Sequence, residues 1–91
     1  MILTVTYDLH NPGRTYEPVI SAIKTAASWA HPQGSLWFID TTMLPKDWIE
    51  KLGKVADTND EFFIARLQEN WWSKNMDDEV IKWLKDPVRS W

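Results

Sequence analysis

The segment Ile2-Leu3-Thr4-Val5-Thr6-Tyr7 constrains this chain more than any other. Strand alternation places Leu3, Val5 and Tyr7 on one face and Ile2, Thr4 and Thr6 on the other. β-Branched residues occupy both faces, so the segment reads as a central strand with neighbours on either side. Such a strand requires a sheet, and the sheet requires packed layers. The 91 residues supply one domain, 1–91, with no room for two independent cores.

The remaining pattern alternates in kind. Asn11-Pro12-Gly13 is a turn. Tyr16, Val19, Ile20, Ile23 and Ala27 recur at helical spacing and predict a helix over Tyr16–Ser28, with Thr15 as N-cap and Pro18 tolerated in the first turn. An extended piece over Trp29–Gln33 leads through Gly34 into the aromatic strand Ser35–Thr41; Pro32 suits an edge position. Pro45 opens a second helix with Trp48, Leu52 and Val55 as its apolar stripe. Asp57-Thr58-Asn59-Asp60 ends it, and Glu61–Leu67 is strand-like. Asn75 or Asp77 caps a last helix whose inward residues are Val80, Ile81 and Leu84.

The order is strand, helix, strand pair, helix, strand and a further helix. This is the α+β, ferredoxin-like βαββαβ arrangement with an additional C-terminal helix. Its helices lie on one face of a four-stranded sheet and leave the other open.

Composition narrows function. The formal charge is −3, with 10 basic residues scattered among 13 acidic ones. This disfavours strong non-specific nucleic-acid binding, which calls for a basic patch. Cysteine is absent, as in many proteins of reducing compartments. The apolar N-terminus is too short and lacks the basic start and cleavage site of a signal peptide, and no apolar run approaches a membrane span. A cytoplasmic location is expected.

Asp8 follows the central strand directly. Alternation puts it on the face of Ile2, Thr4 and Thr6, where it is either a carboxylate ligand for Mg²⁺ or Mn²⁺ or a strand terminator bonded to the following turn. Asp40 ends its own strand, where it either sits beside Asp8, if those strands pair, or is a strand terminator before Thr41-Thr42. His10 and His31 lie in turn-like segments that could meet at strand ends; as ligands or bases they need partners. Three glycines make a phosphate-cradling loop improbable.

Seven tryptophans are too many for a core this small. Trp48 belongs to a helix stripe. Trp37 and Phe38 point to opposite faces, so one of them lies on the open face and needs a cover. Trp71-Trp72 read as partly buried. Such aromatic surface suits a protein–protein interface, most simply a homodimer, which would also add stability to a small domain.

Thr6-Tyr7-Asp8-Leu9, Arg14, the strand Ser35–Thr41 and Asn59-Asp60 before Glu61–Leu67 together resemble the CRISPR-associated protein two family, in particular its SinR-like relatives. The resemblance spans about the first 70 residues. It implies a homodimer whose C-terminal segment completes the partner's sheet. It also implies a metal-dependent endonuclease site in which the strand-end Asp of each subunit faces its twin and binds Mg²⁺. Here that residue is Asp8, with Tyr7, His10 and Arg14 as substrate contacts. The chain departs from the family in His10-Asn11-Pro12-Gly13 after the Asp, in its acidity and in its Trp-rich end. A non-catalytic relative, a protein-interaction module using the Trp-rich surface, and a binder of a nucleotide or other small ligand in the dimer cleft are the alternatives.

Overall fold

The computed structural model describes residues 1–10 and 16–91. The Asn11-Pro12-Gly13 turn, Arg14 and the Thr15 cap lie outside the described residues. The elements are β1 (Ile2–Asp8), α1 (Glu17–Ile23), β2 (Ser28–Gln33), β3 (Leu36–Asp40), α2 (Pro45–Gly53), β4 (Glu61–Arg66) and α3 (Asp78–Lys85). The fold is α+β. Its four strands are antiparallel in the order β2-β3-β1-β4, so β1 is central as its two-faced composition requires. Register pairs Val5 with Trp37 and Ile64, and Thr4 with Phe38 and Ala65.

One face carries the principal core. Leu3, Val5, Trp37 and Ile39 are buried there under Val19 and Ile23 of α1 and Trp48 and Leu52 of α2. Each indole N–H in this core has an acceptor. Trp37 donates to the Tyr7 hydroxyl at 3.0 Å, and Trp48 to Thr41 Oγ1 at 3.2 Å. A buried indole N–H without such a partner would give back about 1–3 kcal/mol of what burying the ring gains.

The first helix is shorter than its periodicity predicts. It stops at Ile23, the chain tightens as the Thr25 and Ala26 N–H groups donate to carbonyls three residues back, and Ser28 already belongs to β2. The Thr25 hydroxyl reinforces that stop by donating to the Ala22 carbonyl at 2.6 Å. Ala27 is exposed rather than part of the stripe. The strand ladder with β3 recruits Trp29 and Ala30, and this pairing overrides local helix propensity.

The opposite face is not open throughout. Val80 and Leu84 of α3 close over Phe38 and Ala30, forming a second core with Trp71, Trp83 and Trp91 around it. Phe38 thus receives its cover from the same chain. Asp77 caps α3 by accepting the Glu79 N–H at 2.8 Å, while Asn75 sits at φ 59° in the turn before it, a conformation asparagine tolerates. The chain end is tied back by Asp40, which accepts the Ser90 N–H at 3.2 Å and pairs with Arg89 at 3.5 Å. Arg66 donates to the Trp91 carbonyl. What stays uncovered on this face is the β1–β4 half, where Phe63 is 68% exposed. No helix among the described residues is long and apolar enough to cross a membrane.

Candidate metal centre at the end of the first strand

In an antiparallel pair, the end of one strand lies beside the start of the other. β1 ends at Asp8 and β4 begins at Glu61, and the two are direct partners in the ladder. Directly opposed residues share a face, so both carboxylates project to the same side. Like charges facing one another across strands repel, and a cation between them removes the penalty.

His10 brings an imidazole to that place, positive when it is protonated. Its Nε2 lies 2.6 Å from Glu61 Oε2 and 3.6 Å from Asp8 Oδ2. Its backbone is held as well, the His10 N–H donating to Asp60 Oδ1 at 3.0 Å. Asp60 is itself fixed in the loop before β4, where its other oxygen accepts the Asp57 N–H at 2.9 Å. The hydrogen bond to Glu61 raises the His10 pKa above its ordinary 6.5, helped first by the charge of Asp8 and then by those of Glu61 and Asp60, against a downward push from desolvation.

The result is a three-residue cluster, Asp8, His10 and Glu61, whose potential ligand atoms all lie within 4.8 Å of one another. All three side chains are exposed, so an ion could enter without rearrangement of the core. Two carboxylate oxygens and one imidazole nitrogen form a mixed donor set that suits Mn²⁺ or Zn²⁺, and Mg²⁺ through its carboxylates with water completing the shell.

No family model matches this chain, and no curated protein or solved structure does either.

The other residues singled out from the sequence are placed differently. Asp40 pairs with Ile2 at the far end of β1 and is engaged by Arg89 and the N-terminal ammonium, so it does not sit beside Asp8. His31 does not join His10. It stacks on Trp37 at 3.7 Å between ring centroids and bonds to the Gly34 carbonyl. Tyr7 faces the helices, the side opposite Asp8, with its hydroxyl committed to Gly34 and Trp37. Arg14 lies outside the described residues. Glu61 is the candidate that the sequence pattern alone does not single out; its signal is that a strand beginning in Glu lies beside a strand ending in Asp when the two pair antiparallel.

Proposed function

We propose that Asp8, His10 and Glu61 form a divalent-cation site serving phosphodiester hydrolysis, on a ferredoxin-like homodimer related to the SinR-like branch of the CRISPR-associated protein two superfamily. The observation that carries this reading is the convergence of two carboxylates from paired strand ends and the imidazole of the residue two beyond the first strand end. The element order β-α-β-β-α-β and the strand order β2-β3-β1-β4 support the ferredoxin-like assignment.

Asp8 and Glu61 hold the cation in this reading, and His10 completes the set in its neutral form. A bound divalent ion supplies a water of lowered pKa and charge stabilisation at a phosphoryl oxygen. The chain's own part is to hold the three donors in register, through the β1–β4 ladder and the Asp60 brace on His10. The three ligands come from a single chain, so a facing Asp8 from a second subunit is not needed to complete the set. The net negative charge favours a short or single-stranded substrate over a long duplex tracked through its phosphates. A cytoplasmic setting agrees with the lack of cysteine.

Purified protein incubated with single-stranded RNA and DNA, with Mn²⁺, Mg²⁺ or a chelator, tests the activity. Metal-dependent cleavage lost in Asp8→Ala and Glu61→Ala is the expected result. Cleavage that survives either substitution removes these residues from the mechanism.

A second reading draws on exposed aromatics. Phe63 on the uncovered half of the sheet and Trp72, 96% exposed, would serve a protein-interaction module. Affinity capture from the native host distinguishes it, because this reading expects a retained partner protein and no cleavage of either nucleic acid.

A further inference from the structure

At the other end of the molecule the chain builds a cavity of about 610 Å³ between residues 69–73 and the end of α3. That volume lies within the ~300–1,000 Å³ usual for small-molecule sites. Register separates it from the Asp8 cluster. Trp91 and Ser90 are tied to Arg66 and Asp40, which pair with Leu3 and Ile2, whereas Asp8 lies about 20 Å along the same strand.

Ile81 and Leu84 line the cavity as apolar surface, with Trp71 and Trp91 packed on the second core beside them. Trp72 also lines it, yet is 96% exposed. Nothing in the packing of the core requires an indole there, and covering its face would recover burial that the fold leaves unused.

The polar lining sets the chemistry of the occupant. Glu69 and Asp86 balance Lys85 and Arg89. Arg89 is engaged through its two terminal nitrogens by Asp40 and Asp86 and lies on the Trp83 ring, 4.2 Å from the centroid, which leaves only its buried Nε without a hydrogen-bond partner. The side chains of Glu69 and Lys85 have no hydrogen-bond or ion-pair partner among the described residues. An acceptor, a donor and the Ser73 hydroxyl therefore border a flat apolar wall with no excess of positive charge. A phosphate or carboxylate ligand gains nothing from such a balance, and base-stacking platforms on nucleic-acid binders come with a basic groove. A sugar ring fits both requirements, since one side presents C–H groups to an indole and its edge carries hydroxyls that each donate and accept.

We propose that this cavity binds an uncharged saccharide, with Trp72 as the stacking platform and Glu69 and Lys85 bonding its hydroxyls. The site is independent of the cation cluster, so failure of one leaves the other standing.

The test is titration of the full chain with maltose, cellobiose, lactose and N,N′-diacetylchitobiose, with adenosine and AMP alongside. Readouts are tryptophan emission and the indole N–H resonances. The expected result is a saturable, millimolar response to at least one of the disaccharides. It shifts the Trp71, Trp72 and Trp91 signals and leaves the buried Trp48 signal in place. Trp72→Ala, at an exposed position where the fold is not at stake, weakens binding by about tenfold or more. Three results overturn the proposal: no response to any of these sugars at roughly ten times a millimolar dissociation constant, a response confined to adenosine or AMP, or unchanged sugar binding by Trp72→Ala.

Discussion

At the scale of the residue, His10 connects charge, protonation and metal affinity. Its folded-state pKa lies above the ordinary 6.5 because Glu61 and Asp8 favour the imidazolium. The sign follows directly: this pairing stabilises the fold fully below pH 6.5 and loses its contribution as the pH rises through the folded value. An NMR titration should therefore place the His10 ring midpoint above 6.5, and Glu61→Gln should lower it. A midpoint unmoved by that substitution would remove Glu61 as the principal cause. The same protonation competes with a metal ion for the imidazole nitrogen. Apparent Mn²⁺ affinity is thus expected to fall as the pH drops through that midpoint and to lose much of this dependence in His10→Ala, as calorimetric titrations across pH 5.5–8.0 (roughly one unit or more either side of a typical histidine) can measure.

At the scale of the element, stability should follow the two cores rather than the exposed cluster. Trp37 is 1% exposed and lies between Val5 and Trp29, with its N–H on Tyr7. Trp37→Ala should cost about 3–5 kcal/mol in denaturant unfolding, the range for a buried aromatic that also leaves a hydrogen-bonding partner behind. Asp77→Ala, which removes the α3 cap, should cost only about 1 kcal/mol. A larger loss there than at Trp37 would mean that α3 is the main source of stability. Much of this was legible in the sequence. The strand Ile2–Tyr7, the stripe of Trp48 and Leu52 and the α3 residues Val80 and Leu84 announce themselves because burial imposes a period that a sequence displays. The end of α1 did not, because the sheet pairing that claims Ser28 and Trp29 is a long-range effect with no local signature. That one of Trp37 and Phe38 needs a cover was legible, whereas which of the two it is, and what covers it, were not. A helix amphipathic in sequence does not say which sheet face it will take.

At the scale of the whole molecule, register decides which side chains meet. Asp8 and Asp40 both end strands, and only the alignment of β1 with β3 shows that they occupy opposite ends of the sheet. Asp8 and Glu61 meet because β4 runs antiparallel beside β1. A sequence gives each carboxylate but not this geometry. The C-terminal residues pack on their own chain's sheet through Trp83, Arg89 and Trp91, so they are already engaged and a homodimer here would have to use other surface. The uncovered β1–β4 half around Phe63 is such a surface. Light scattering at micromolar concentration should give twice the mass of a 10.7 kDa chain, and Phe63→Ser should shift it toward monomer. A monomer in the unsubstituted protein would contradict the dimer. The proposed metal site does not depend on that outcome, since its three donors belong to one chain. Its most direct measurement is a Mn²⁺ titration of the intact protein at pH 7.5 (about one unit above an ordinary histidine pKa), followed by calorimetry or by the paramagnetic signal of the free ion. One ion per chain, with affinity reduced about tenfold or more in both Asp8→Asn and Glu61→Gln, is the predicted result. No binding, or binding that both variants retain undiminished, would contradict it.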